Sequence, residues 1–140
     1  MHHVIFVNLP VKDQSASREY FTHLGYTFNE DYCEDGKALC LVLGENMYAM
    51  LLAPDFFATF TDRPVADATI SSQVLLCIDA PSREGVDELV DKAVAAGGAD
   101  VRTEDHGFMY GRSFADLDGH IWEIMWMDPA AMQGGSSQQD

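Results

Sequence analysis

Hydrophobic residues along the chain form two successive sets of short segments, and the first set spans residues 4 to 52. A β-branched run, Val4–Val11, is predicted to be a buried strand. Residues 15–24 carry Ala16, Tyr20, Phe21 and Leu24 on one helical stripe, and Gly25 follows as a stop signal. Three short strands are then predicted between turn-forming residues, at Tyr26–Cys33, Ala38–Leu43 and Met47–Leu52.

The second set repeats this pattern after a polar stretch that contains a short Pro-started helical turn. Gln73–Ile78 is predicted to be a strand, and Ser82 is a candidate N-cap for the next helix. That helix shows amphipathic spacing, with apolar residues at Val86, Leu89, Val90, Ala93 and Val94. Three further strands are predicted in the segments "ADVRTE", "FMYGRSFA" and "HIWEIMWM".

The order βαβββ therefore occurs twice, offset by about seventy residues, which indicates internal repetition. We predict an α+β fold of two tandem βαβββ units, each with a curled mixed sheet that buries one face under its helix. The other faces are expected to line a cleft. The expected organisation is one domain over 1–129, with repeats at about 1–53 and 70–129, a linker at 54–69 and a flexible tail at 130–140.

Charge and cysteine content limit the classes of binding partner and the cellular compartment that we expect for this domain. The 140 residues include 23 acidic and 8 basic side chains, a net charge of −15, so nucleic acid and anionic membrane surfaces are not expected partners. No apolar run has the length of a membrane span, and the first residues lack a secretion signal. Three unpaired cysteines, Cys33, Cys40 and Cys77, are expected to be buried free thiols in a reducing cytoplasm.

Two motifs resemble those of a known superfamily. "VNLPVKDQSASREYFTHLGY" and "GRSFADLDGHIWEI" are similar to the opening and closing motifs of the vicinal oxygen chelate superfamily. This superfamily includes glyoxalases, bleomycin-resistance proteins and extradiol dioxygenases, and the nearest branch is labelled predicted lactoylglutathione lyase. The resemblance extends to Pro129. It implies a glyoxalase-like fold, a small-molecule ligand and a homodimer.

The resemblance also implies positions for a divalent metal such as Ni, Zn, Mn or Fe. Metal-dependent members of the superfamily take four ligands from four strands, which here correspond to Phe6, Met50, Gln73 and Glu123. Glu123 is a carboxylate, and Gln73 can ligate through its amide oxygen. Phe6 and Met50 are not suitable ligands for a hard or borderline dication.

Glu123 is the main candidate for chemistry because it lies alone in the apolar strand "HIWEIMWM". Alternation places it on the face opposite Trp122 and Trp126, whose rings suit packing against a helix. It would then face the cleft as a metal ligand or general base. The alternative is a structural pair across the hairpin: Ser113 lies opposite if Gly119 adopts a left-handed bulge, and Arg112 lies opposite in the other register.

Other residues are candidates for ligand binding. Asn8 is a polar amide on an apolar strand, Arg112 could bind an anionic group, and Tyr110 shares its face. Met125 belongs to a methionine-rich set that could form an adaptable apolar wall. Three hypotheses remain open. The first is a lyase or isomerase acting next to a carbonyl, with Glu123 as its base or metal ligand, and the second is metal-independent binding of a small molecule or antibiotic. The third is a scaffold without a working site, in which Glu123 is locked in a structural pair.

Overall fold

The computed structural model describes residues 1–131, and the chain divides into two compact units, Met1–Ser71 and the part from Ser72 onward. Each unit contains one four-stranded mixed sheet, in which the first strand pairs parallel with the fourth. The strand order is β1-β4-β3-β2 in the first sheet and β5-β8-β7-β6 in the second. The predicted α+β architecture of two βαβββ units is confirmed. Of the predicted tail at 130–140, residues 132–140 lie outside the described part.

The first unit follows the predicted element order. Its strands are β1 (Ile5–Pro10), β2 (Thr27–Phe28), β3 (Ala38–Gly44) and β4 (Met47–Leu52), and its helices are α1 (Gln14–His23) and the short α2 (Pro54–Phe57). Helix α1 begins after Asp13, whose side chain accepts a hydrogen bond from the Ala16 amide at 3.0 Å. Its core joins Tyr20 and Phe21 of α1 to Leu9, Leu41 and Leu51 of the sheet.

The predicted strand Tyr26–Cys33 is mostly wrong. Only Thr27–Phe28 forms a strand, and Glu30–Tyr32 forms a 3₁₀ turn instead. The Asn29 side chain accepts a hydrogen bond from the Asp31 amide at 3.1 Å. This local bond competes with sheet pairing, as short polar side chains often do.

The second unit contains β5 (Leu75–Asp79), α3 (Arg83–Ala95), β6 (Ala99–Asp105), β7 (Met109–Ala115) and β8 (Ile121–Met127). Ser82 caps α3 as predicted, and its hydroxyl accepts a hydrogen bond from the Gly85 amide at 2.9 Å. The apolar stripe of α3 is buried at Val86, Val90 and Ala93. It packs on the sheet face that carries Phe114, Trp122 and Ile124, all of which are buried.

The three cysteines are free, but their burial differs from the prediction. Cys40 is buried and Cys33 is half-buried, whereas Cys77 is exposed. Cys77 lies on β5 at the edge of its sheet, on the face that α3 does not cover, and this position explains its exposure. Within residues 1–131, no helix is long and apolar enough to cross a membrane.

Candidate functional site

The turn between β7 and β8 fixes which residue lies opposite Glu123. Gly119 has a φ of 89°, a left-handed conformation that favours glycine. The buried Asp116 carboxylate accepts hydrogen bonds from the amides of Asp118 and His120, both at 3.0 Å, and from the Trp122 indole N–H at 2.9 Å. Burial raises the pKa of Asp116. This turn sets the register.

In that register Ser113 is the direct partner of Glu123, as one of the two open alternatives predicted. Pairing with the two outer strands adds one residue on each side of this pair: Arg102 of β6 lies beside Ser113, and Cys77 of β5 lies beside Glu123. We call Arg102, Ser113, Glu123 and Cys77 the polar row. Its four side chains come from four adjacent strands and lie on the face opposite the Trp122 side, because side chains directly paired across strands share a face.

The polar row lines a cavity of about 170 Å³ in the second unit. Met109 and Met125 add apolar walls, and Glu104 adds a second carboxylate. Arg102 is already engaged with Glu104, with Nη2 to Oε1 at 2.6 Å. The cavity therefore combines a soft apolar wall with polar groups of different chemistry, a composition typical of small-molecule sites.

Two polar groups of this cavity have no partner among residues 1–131. The Glu123 side chain makes no hydrogen bond or ion pair with any of residues 1–131. The Ser113 Oγ is buried without a hydrogen-bond partner in the described part of the chain, and Ser113 is only 3% exposed. A buried hydroxyl without a partner is uncommon in proteins and calls for a specific explanation.

The exposed thiol of the polar row is held in its protonated form. Partial desolvation of the sulfur beside the sheet, the charge of Glu123 and the charge of Asp79 all raise the pKa of Cys77. A raised pKa leaves little thiolate at neutral pH, and the thiolate is the nucleophilic form. Cys77 thus contributes a neutral, polarisable surface next to the Glu123 carboxylate.

Tyr110 and Arg112 were expected near a ligand, but the structure places both beside the acidic residues of α3. The Tyr110 hydroxyl donates to Asp87 at 2.6 Å, and Arg112 Nη1 lies 3.1 Å from Asp87 and 2.8 Å from Asp91. Arg112 Nη2 also lies 3.5 Å from Asp100. Arg112 is also among the residues that line the cavity of Glu123, whereas Tyr110 is not. By alternation both side chains extend from the sheet face opposite Glu123, and the Arg112 guanidinium is engaged with carboxylates there, so we leave both out of the proposed site.

The remaining predicted residues are distributed as follows. Met125 lines the same cavity as Glu123. Gln73 is exposed in a bend before β5, four residues earlier in the chain than Cys77, which is the residue that pairs with Glu123. Asn8 is exposed on β1 in the first unit, where its register partner is Met50.

The donor atoms around Glu123 do not fit the four-ligand metal centre that the resemblance implies. No group of three or more His, Cys, Asp or Glu side chains within residues 1–131 is arranged to hold a metal ion. The register neighbours of Glu123 are a hydroxyl and a thiol with a raised pKa. The Phe6 ring stacks on Tyr48, with ring centroids 5.1 Å apart. Hydroxyl, neutral thiol and phenyl groups are poor ligands for a hard or borderline dication.

Sequence reasoning missed Cys77, Arg102 and Glu104 as residues of this site. Cys77 is the one that pairs directly with Glu123. It lies on a strand that pairs parallel with β8, and its partner depends on a register that no connecting turn fixes. The available signal was alternation within "LLCID", which places Cys77 on the same face as Leu75 and Asp79.

Comparison with known proteins identifies the family. The family model for the Glyoxalase/Bleomycin resistance protein/Dioxygenase superfamily matches residues 1–124. The chain belongs to this superfamily. No curated protein matches it.

Solved structures of other proteins share this fold. A hypothetical protein from S. aureus is 27% identical, with a TM-score of 0.76 over 89% of this chain and 94% of that chain. A lactoylglutathione lyase from Agrobacterium tumefaciens is 18% identical, with a TM-score of 0.62 over 88% and 92%. A fosfomycin resistance protein from Listeria monocytogenes is 15% identical, with a TM-score of 0.65 over 89% and 93%. The last two likenesses establish the fold alone.

Proposed function

We propose that this superfamily member binds a small organic molecule in the cavity of its second unit, without a resident metal, and that Glu123 makes the main polar contact. The observation that carries the proposal is the Glu123 carboxylate, which lines the cavity and has no partner among residues 1–131. A carboxylate that is half-buried without a partner loses hydration, and a ligand with hydrogen-bond donors would compensate for that loss.

The cavity volume indicates the size of the ligand group that it can hold. An apolar cavity of about 150 Å³ admits benzene, so about 170 Å³ suits a molecule of roughly six to eight heavy atoms. Met109 and Met125 suit the apolar part of such a molecule because thioether side chains adapt their shape to a ligand. Larger ligands would extend beyond this cavity.

Binding is tested by adding fragments of this size to ¹⁵N-labelled protein and recording amide chemical shifts. Support for the proposal is a saturable shift at Ser113, Glu123 and Cys77 that is lost in Glu123→Gln. Glu45→Gln is the matched control because Glu45 lies in an exposed turn of the first unit and its substitution changes the net charge equally. Saturation that survives Glu123→Gln unchanged would contradict the assigned role of Glu123.

A second candidate is catalysis of proton transfer next to a carbonyl, the chemistry expected of a lyase or isomerase. The specific observation in its favour is again the Glu123 carboxylate, which has no partner in the described part of the chain and is available to accept a proton from a bound ligand. One fold neighbour is named a lactoylglutathione lyase. In this reaction Glu123 takes the proton and the electron pair of the broken C–H bond moves onto the carbonyl oxygen as an enolate. The Glu123 carboxyl then exchanges its proton with solvent and returns a proton to carbon, which restores the carboxylate.

Hydrogen–deuterium exchange separates the two candidates. Hydroxyacetone, which has exchangeable hydrogens next to its carbonyl, is incubated with the protein in D₂O and followed by proton NMR. Exchange that is faster than in buffer and absent in Glu123→Gln supports catalysis. Binding without faster exchange supports the binding function alone.

The metal-independent part of the proposal has its own test. Chelator-treated protein is melted with Ni²⁺, Zn²⁺, Mn²⁺ or Fe²⁺ added, because a ligand at ~100 times its Kd adds ~2.7 kcal/mol of stability. We expect no stabilisation that depends on Glu123. A rise in Tm that Glu123→Gln abolishes would contradict the proposal.

We also propose that the chain forms a homodimer and works in the cytoplasm. Exposed apolar side chains on edge strands support the dimer: Ile5 on β1 is 57% exposed and Leu75 on β5 is 56% exposed. Free cysteines are consistent with a reducing compartment. Sedimentation velocity tests the dimer, with Ile5→Asp and Leu75→Asp expected to shift the protein to monomer.

A further inference from the structure

We propose that the ligand of this cavity is a small organic cation, a primary ammonium on a compact apolar body, held between Glu123 and Ser113. This inference rests on the proposed binding function and adds the chemical class of the ligand. It follows from the charges of the cavity, the orphaned hydroxyl and the apolar walls.

The basic side chains near the cavity are paired with other carboxylates, which leaves the Glu123 carboxylate without a positively charged partner among residues 1–131. Arg102 is engaged with Glu104 at 2.6 Å, and Arg112 lies 3.1 Å from Asp87 and 2.8 Å from Asp91. Neither guanidinium pairs with Glu123, which has no ion-pair partner within residues 1–131. A cationic ligand would supply the missing charge.

The net charge of the whole chain also favours a cationic ligand. With 23 acidic and 8 basic residues, the protein carries a net charge of −15. A field of this sign raises the local concentration of cations near the surface and lowers that of anions. A carboxylate or phosphate ligand would meet both this field and the Glu123 charge.

The hydroxyl of Ser113 favours an ammonium over other cations. Ser113 is 3% exposed, lines the cavity, pairs directly with Glu123 and has an Oγ without a partner in the described residues. An ammonium has three donors in a tetrahedral arrangement and no acceptor. It can donate to the Glu123 carboxylate and to the Ser113 Oγ at once, whereas a quaternary ammonium has no donor for either group.

The other walls suit the body of such a ligand. Met109, Met125 and the protonated Cys77 thiol present polarisable, uncharged surface on the remaining sides of the cavity. Benzylammonium, with about eight heavy atoms, matches the volume of about 170 Å³. Benzyl alcohol and benzoate have nearly the same shape with zero and negative charge, so the three compounds form a matched series.

The experiment is calorimetric and NMR titration of the intact chain with these three compounds near neutral pH. We expect benzylammonium to bind at least ~10-fold more tightly than benzyl alcohol, and benzoate to bind more weakly than the alcohol. Glu123→Gln should remove most of the preference for the cation. Ser113→Ala should weaken benzylammonium binding by ~3- to 10-fold. Glu45→Gln should leave the preference unchanged.

The outcomes separate this inference from the proposed function. Equal or tighter binding of benzyl alcohol or benzoate, with amide shifts at Ser113 and Glu123, would overturn the ammonium assignment and leave the binding function standing. A cation preference that Glu45→Gln reduces as much as Glu123→Gln does would also overturn it, since the general charge would then explain the preference. If none of the three compounds binds, the assignment fails, and fragment screening decides the binding function separately.

Discussion

Removing the hydroxyl of Ser113 should stabilise the protein, although this residue lies in the candidate site. The Ser113 Oγ is buried and has no hydrogen-bond partner within the described residues. Such a group loses its bonds to water on folding and gains none in return, at a cost of about 1–3 kcal/mol. Ser113→Ala abolishes that cost and leaves only a small void. We therefore expect the free energy of unfolding to rise by about 0.5–2 kcal/mol.

The assay is urea unfolding followed by tryptophan fluorescence, with calorimetry as a second probe. For a chain of this length, about 1 kcal/mol corresponds to a change in Tm of ~3–4 °C. Ser82→Ala is the matched control because the same substitution there removes a hydroxyl that accepts from the Gly85 amide at 2.9 Å. This variant should lose about 0.5–2 kcal/mol.

Opposite signs for the two variants are the diagnostic result. If Ser113→Ala lowers the free energy of unfolding by more than ~1 kcal/mol, the hydroxyl makes a favourable interaction, and the reasoning from an orphaned group is refuted. A gain in stability together with weaker ammonium binding would instead identify a residue that is retained for function at the expense of stability.

Three further predictions concern the groups that hold the second unit together. Asp116→Ala should lower the free energy of unfolding by about 2–4 kcal/mol in urea titrations, because it orphans the two amides and the buried indole N–H that this carboxylate accepts from. Arg112→Met should cost about 1–3 kcal/mol, since the Arg112 side chain is only 12% exposed and lies near three carboxylates. The control, Arg102→Met, should change stability by less than ~0.5 kcal/mol because its ion pair is exposed. Finally, the Tyr110 hydroxyl and then Arg112 lower the pKa of Asp87. The stability that this carboxylate contributes is present above the ordinary Asp pKa of about 4 and is lost as pH falls through the lowered folded-state value, so Asp87→Asn should reduce the acid dependence of unfolding.

Most of the fold was predictable because its signals are local. The 3.6-residue periodicity of Val86, Val90 and Ala93 and the Ser82 cap define α3 within a few residues of sequence. The failure at β2 was also local, because the Asn29 side chain satisfies a backbone amide and ends the strand. Strand propensity alone gives no measure of that competition.

The candidate site was predictable only in part, and the difference lies in how each register is fixed. The turn at Asp116 and Gly119 determines the β7–β8 register, so Ser113 was one of two partners expected for Glu123. The β5–β8 pair is parallel and has no such turn. The sequence therefore does not determine whether Gln73 or Cys77 lies beside Glu123. The partners of Arg112 lie on α3 and β6, and their distances depend on packing that the sequence does not encode locally.

The two sheets share one strand order. The first sheet can therefore serve as an internal reference for NMR measurements on the second. On the first sheet, the paired positions Phe6, Tyr48, Val42 and Thr27 form a row across four strands that contains no carboxylate, thiol or basic group. The polar row occupies the same kind of backbone in the second sheet. Temperature and solvent should therefore affect the two rows similarly, while only the polar row offers a cationic ligand a carboxylate to bind. A single labelled sample thus contains both the measurement and its reference.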